Sequence, residues 1–254
     1  MRSLRIWAHF KRGIVLNDEV KFFLTKKRKI IQLFTEDKKM IIIKYFGHSM
    51  WSINTNSCNI IIDPYTDIGY NLNQELIADV VISSHDHFDH NNFKLITPPF
   101  QKVTQIGRYQ IKDSKIQLIE ASHGKIEEKS IGDTFLIHVE VEGVTMLHCG
   151  DLGEVPDDAL LKKIGEVDIL FIPVGGYYTI DANLAKEVID LISPKIVFPM
   201  HYKTDVCKVE HIAPIDAFHA LYPEMEISTT TVFLTKKEYL KEEEQRIIKL
   251  QYEQ

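Results

Sequence analysis

The six residues His85-Asp86-His87-Phe88-Asp89-His90 follow closely on the apolar run Val80-Val81-Ile82 and hold three imidazoles and two carboxylates. Such side chains repel one another when charged and are costly to bury, so crowding them behind a strand points to a cation that holds them. If the strand runs on through the motif, residues two apart point the same way, and His85 and His87 share one metal. Asp89 and His90 then fall past the strand end, where a turn aims them at a second metal beside the first. Few chance sequences reach this density of ligand-type residues. The chain must therefore fold so that this strand ends at a metal site.

Three further candidates also follow apolar runs. His123 stands in Ala-Ser-His-Gly after Ile116 to Ile119, Asp151 in His-Cys-Gly-Asp after Val144 to Leu147, and His201 in Phe-Pro-Met-His-Tyr after Ile196-Val197. Alone, each reads as a loop histidine, a turn aspartate or a strand-end histidine. In this order behind HDHFDH, the set resembles the metallo-β-lactamase superfamily, whose signature is HxHxDH after a strand, then a His, a bridging Asp and a last His. The resemblance implies that His85, His87 and His123 hold one divalent metal ion and Asp89, His90 and His201 a second, with Asp151 between them. It implies a metal-dependent hydrolase in which a dinuclear metal-bound hydroxide attacks an ester, lactone or phosphodiester, with Asp89 as the catalytic residue that orients the water. Zn2+ is the first expectation for both cations, and the imidazole and carboxylate ligands also suit Mn2+ or Fe2+. The implied fold is α/β, a four-layer αββα sandwich with two mixed β-sheets packed face to face and helices outside. Periodicity by itself supports only a mixed α/β chain.

Tyr45-Phe46-Gly47-His48-Ser49, the segment Ile172 to Asp181 and Pro199-Met200-His201-Tyr202 are similar to the branch that contains L-ascorbate-6-phosphate lactonase and related zinc-dependent hydrolases. The resemblance runs from about residue 41 to about residue 205 and continues more weakly to 235. Around the expected site, His48 and His148 are candidates to brace a ligand, and Tyr177 or Tyr178 to face substrate. Lys203 is a candidate anchor for an anionic substrate. Gly175-Gly176 permits close backbone approach, and Cys149 reads as a small buried residue. Two other classes share the fold: an iron-dependent redox enzyme of the sulfur-dioxygenase type, and a non-catalytic metal-binding member. Diiron reductases usually carry glutamate where His87 stands, and members without catalysis commonly lose ligands, so both rank below the hydrolase.

Charge divides the chain. Residues 1–39 carry a net +7 and the remainder −13. The first segment reads as a basic N-terminal extension outside the fold, and residues 40–254 as one hydrolase domain. The acidic body opposes a nucleic-acid partner and favours a small-molecule substrate; a homo-oligomer is compatible with the sequence. No apolar run is long enough to span a membrane. The N-terminal apolar stretch stops at Lys11-Arg12, too early for a secretory signal. The three scattered cysteines argue against a disulfide framework, so the expected location is the cytoplasm.

Strands are expected at Ile41–Tyr45, Trp51–Thr55, Asn59–Asp63, Val167–Ile172, Lys195–Phe198 and Thr229–Leu234. Helices are expected at Asp157–Ile164, at Asn183–Ile192 capped by Asp181, and at Ile215–Leu221. The tail from Lys236 to Leu250 reads as a charged helix with Tyr239, Leu240, Ile247 and Leu250 on its apolar side.

Overall fold

Apolar runs broken by turn residues dictate many short strands, and the computed structural model gathers most of them into two sheets. It describes residues 39–72, 74–126, 129–240 and 244–253. The expected basic extension therefore lies outside the described residues, except for Lys39. The first strands are β1 (Ile41–Gly47), β2 (Met50–Asn54), β3 (Asn59–Ile62), β4 (Leu76–Ile77), β5 (Val80–Ile82), β6 (Ile96–Thr97) and β7 (Gln101–Val103). The middle of the chain gives β8 (Gly107–Ile111), β9 (Ser114–Ser122), β10 (Lys125–Ile126), β11 (Lys129–Ser130), β12 (Asp133–Val141) and β13 (Val144–His148). The last are β14 (Ile169–Pro173), β15 (Ile196–Met200), β16 (Glu226–Ile227), β17 (Val232–Thr235) and β18 (Arg246–Lys249).

One sheet has the order β17-β1-β2-β3-β5-β7 and the other β16-β18-β15-β14-β13-β12-β9-β8. Both mix parallel and antiparallel pairs. Alternation along the strands decides which side chains meet between the sheets. Ile60, Ile62, Val80 and Ile82 from the first sheet share a buried cluster with Met146, Ile169, Phe171 and Phe198 from the second. Trp51 crosses that interface, stacked on Tyr45 at 4.3 Å and lying 4.7 Å from Phe171 between ring centres.

The opposite face of the larger sheet, with Leu147, Leu170, Ile172 and Val197, is covered by apolar residues of three helices. These are α1 (Asp158–Ile164), α2 (Ala182–Ile192) and α3 (Asp216–Leu221). Asp157 caps α1 through Leu160 N–H, and Asp181 caps α2 through Asn183 and Leu184 N–H, as Ncap aspartates do. Over the smaller sheet, Ile61 and Val81 pack under loop residues that include Tyr65, Ile68 and Tyr70. The face-to-face sandwich of mixed sheets is thus the architecture. Among the described residues its outer layer is helical on the larger sheet and built largely of loops on the smaller one.

Two local expectations change. Among its described residues the tail forms a short helix, α4 (Lys237–Leu240), and strand β18, which runs parallel to β15 with Ile196 opposite Arg246. Ile247 and Ile248 are adjacent and both buried, which a strand between two packed layers achieves and a surface helix does not. The second change concerns the motif. β5 ends at Ile82, so His85 to His90 form a loop, and the pleat of a strand does not bring His85 and His87 together. No helix among the described residues is long and apolar enough to cross a membrane.

The topology also sets where loops gather. β3 and β5 run parallel, with Ile62 opposite Ile82, and β13, β14 and β15 run parallel in the other sheet. β9 and β13 each pair antiparallel with β12, so they share a direction. The segments after β3, β5, β9, β13 and β15 carry Asp63, His85 to His90, His123, Asp151 and His201 respectively.

Candidate metal centre

Those segments converge on one carboxylate. Asp151 is buried, and its oxygens lie 3.2 Å from His90 Nε2, 3.3 Å from His201 Nε2, 3.5 Å from His123 Nε2 and 3.9 Å from His85 Nε2. His85 Nε2 in turn faces His87 Nδ1 at 2.8 Å. His85, His87 and His123 can each bring a ligand atom within 4.8 Å of the others, as can Asp89, His90 and His201 together with His48. All seven residues picked out in the sequence are therefore in one place.

Their protonation can be traced outward. His90 Nδ1 donates to Asp63 Oδ2 at 2.8 Å. The Ser84 hydroxyl also donates to Asp63 Oδ2, at 2.7 Å, which leaves its oxygen to accept from His85 Nδ1 at 3.0 Å. His123 Nδ1 donates to the Tyr178 carbonyl at 3.0 Å. In each case the outer nitrogen bears a proton, and Nε2 is the atom turned inward. His90 Nε2, His123 Nε2 and Asp151 Oδ1 are buried without a hydrogen-bond partner. Buried polar atoms are rarely left so. Ligands at about 2.0–2.1 Å around a tetrahedral cation stand about 3.3 Å apart, close to the spacings around Asp151. The donor set fits divalent cations.

Charge in the cation-free protein follows the same contacts. Burial, with His90 nearby, drives His85 down to about 3, so it stays neutral. Burial and His201 bring His48 to about 4. For Asp89, burial acts upward, but His90 and the hydrogen bond from His48 outweigh it and hold the carboxyl well below the usual range. Burial opposes charge on His90 too, yet Asp151, Asp63 and Asp89 raise it well above an ordinary imidazole. The stability contributed by charged His90 is therefore complete below about pH 6.5 and lost as pH rises through its raised value. A cation at Nε2 must displace that proton, so affinity rises with pH. We predict that calorimetric titration of Zn2+ into chelator-stripped protein at pH 7, in two buffers of different ionisation enthalpy, gives release of about one proton per chain. Zero release would remove His90 as a ligand.

The surrounding residues divide. His48, fully buried, donates from Nε2 to Asp89 Oδ2 at 3.1 Å, and its ring lies 4.1 Å from that of His201. His148 accepts from Gly150 N–H at Nδ1 and donates to the Ser49 carbonyl from Nε2, which pins the turn that carries Asp151. Tyr178 lines the cleft above the ligand cluster, whereas Tyr177 is half exposed and stacks on His211 at 4.7 Å. Lys203 lies outside the lining of the cleft and donates to the Val209 carbonyl at 2.6 Å. Cys149 is a free, buried thiol whose pKa burial pushes up. At Gly175 a Cβ would sit 2.2 Å from the His201 carbonyl oxygen, so the close approach expected of that glycine is real.

Sequence reasoning missed Asp63 and Ser84. Asp63 is fully buried and takes three donors: His90 Nδ1, Ser84 Oγ and Ser84 N–H. Its one visible signal was an aspartate closing an apolar strand before Pro64. Gly153 was missed as well; a Cβ there would fall 2.2 Å from the His123 carbonyl carbon.

Known proteins carry the same fold. A UPF0173 metal-dependent hydrolase from Geobacillus sp. (strain WCH70) is 30% identical over 196 residues, 64% of this chain and 85% of the relative. The crystal structure of a putative Zn-dependent hydrolase of the metallo-β-lactamase superfamily from Thermotoga maritima is 33% identical, covers 83% of this chain and all of its own, and superposes with a TM-score of 0.68. Igni18, a metallo hydrolase from Ignicoccus hospitalis, is 20% identical over 84% of this chain and 95% of its own, with a TM-score of 0.58, and shows the fold alone. The family described as Beta-lactamase superfamily domain matches residues 42–201. With its relatives and its converging imidazoles and carboxylates, the chain belongs to the metallo-β-lactamase superfamily and is a metal-dependent hydrolase.

Proposed function

We propose that the protein hydrolyses an ester, lactone or phosphodiester at a centre of two divalent cations, with zinc as the resident metal. His85, His87 and His123 would hold one cation, Asp89, His90 and His201 the other, and Asp151 both. The observation that carries this reading is the convergence of His90 Nε2, His123 Nε2 and Asp151 Oδ1, three buried atoms without partners. When bound, the cations supply an activated water and polarise the attacked carbonyl or phosphoryl group.

The chain's own groups do the rest. His48 holds one oxygen of Asp89, so the carboxylate has a set orientation at the floor of the cleft. From there Asp89 accepts a hydrogen bond from the attacking water and orients its lone pair towards the substrate. Asp63, through His90 and Ser84, holds a proton on each outer nitrogen, so that His85 and His90 turn Nε2 inward. Burial of His85, Asp89, His90, His123, Asp151 and His201 shields their side of the site from competing water, and the exposed His87 stands where the cleft opens.

Metal analysis of protein purified without added metal tests the centre, paired with an ester, lactone and phosphodiester panel. Close to two zinc per chain, with turnover abolished by chelator, is the expected result. Iron with oxygen uptake would replace hydrolysis by redox chemistry, and no metal after reconstitution would overturn the ligand set. Asp89→Asn keeps shape but removes the charge and replaces one accepting oxygen by an NH2, so turnover should fall about 10²–10³-fold with the melting temperature close to wild type. Undiminished hydrolysis by this variant would remove Asp89 from the chemistry.

A further inference from the structure

The cleft above the ligand cluster has a volume of about 540 Å3. Beyond the candidate ligands its wall is formed by Phe88, Ile131, Tyr178 and Val209, with Lys208 and Glu210 also lining it. Phe88 is 62% exposed although it is aromatic and sits inside the HDHFDH motif. Leaving such a ring largely in water forfeits most of the gain from burying it. Nor does the ring hang on a loose backbone: the Phe88 carbonyl accepts from both Thr66 N–H and Thr66 Oγ1, each at 3.0 Å. A side chain held in place and left uncovered at the mouth of a site is placed to meet substrate.

The charges point the same way. Lys208 already binds both oxygens of Asp67, at 2.9 and 3.0 Å. Lys203 is engaged by the Val209 carbonyl and stands outside the lining. Glu210, highly exposed, adds negative charge at the rim. Among the described residues of this wall the one cation, Lys208, is shared with Asp67, and an apolar group finds surface on several sides.

We infer that the substrate is an uncharged carboxylic ester or lactone whose non-reacting part is an apolar acyl chain seated against Phe88 and Tyr178. This deepens the hydrolase reading and rests on it. In the step, the water oxygen bonds to the acyl carbon, the bond from that carbon to the leaving oxygen breaks, and the leaving oxygen takes a proton. An acid and an alcohol result, joined in one hydroxy acid when the substrate is a lactone.

The test compares kcat/KM for 4-nitrophenyl acetate, 4-nitrophenyl hexanoate, 4-nitrophenyl succinate and bis(4-nitrophenyl) phosphate, using the full chain with its metal. Hexanoate should exceed acetate by about tenfold or more, a modest yield for four added methylenes in an apolar pocket, and should exceed both charged compounds. Phe88→Ala should bring the hexanoate-to-acetate ratio to about one, chiefly through KM. Equilibrium binding of hexanohydroxamate against acetohydroxamate reads the same wall without turnover, and the longer chain should bind about tenfold more tightly. If neither ester is hydrolysed but the longer hydroxamate keeps its advantage, the hydrolase reading fails and the assignment of the wall stands. Hydrolysis with no chain-length preference, faster hydrolysis of the charged compounds, equal binding of the two hydroxamates, or binding of neither overturns the inference.

Discussion

Asp151→Asn is expected to reduce turnover at least about 10³-fold and to lower the metal content from about two per chain to one or none. The substitution is nearly isosteric, so the loss traces to charge and lone pairs. Four imidazoles look towards this one carboxylate, His90, His201, His123 and His85, at 3.2 to 3.9 Å. An amide offers one oxygen in place of two and presents an N–H pair to the inward nitrogens. Burial raises the Asp151 carboxyl, but His201 and His90 outweigh it and hold the group ionised far below neutrality. It therefore stays charged at neutral pH, as the proposed ligand role requires. Inductively coupled plasma mass spectrometry on wild type and variant, side by side with the ester panel, measures both effects. A variant that retained two metals per chain would show that Asp151 is not shared between them.

The second large effect belongs to a residue that touches no substrate. Asp63→Asn should weaken metal affinity about 10–100-fold and destabilise the protein by about 3 kcal/mol. The backbone accepts the change, because Asp63 has φ of 50°, a conformation that aspartate and asparagine both tolerate. The side chain does not. Its carboxylate accepts from Ser84 N–H, Ser84 Oγ and His90 Nδ1, all at 2.7 to 2.8 Å. An amide NH2 at the Oδ2 position opposes the His90 Nδ1–H. The imidazole can then hold its proton on Nε2, the atom that should face the cation. Chelator competition and thermal unfolding separate the two consequences. A lower melting temperature with unchanged metal affinity would confine Asp63 to holding the loop.

What could be read along the chain was local. The density of HDHFDH is a property of six neighbouring residues, and His123, Asp151 and His201 each stand where an apolar run stops. Strand β5 falls at Val80–Ile82 as its composition requires, α2 starts after its expected cap Asp181, and α1 begins one residue after Asp157, which caps it. These features depend on side-chain chemistry and on periods of two or 3.6 residues, which survive without knowledge of neighbours.

The tail shows where that reasoning ends. Between Lys236 and Leu250 the spacing of apolar residues supports a helix, yet the position beside β15 was open to a partner, and Arg246–Lys249 extends the sheet instead. Tertiary pairing overrides propensity in so short a segment. The same holds at the site. His85 and His87 meet through a loop, after a strand that ends three residues earlier than His85.

The sequence by itself determined that imidazoles and carboxylates would gather behind apolar strands, because ligand chemistry is written in residue type and short spacing. Only the tertiary structure decided which atoms face inward. The parallel pairing of β3 with β5 carries Asp63 to Ser84, 21 positions away, and the fold carries the Tyr178 carbonyl to His123, 55 positions away. Those hydrogen bonds place each proton on the outer nitrogen, and a tautomer is set by whatever lies opposite it in space.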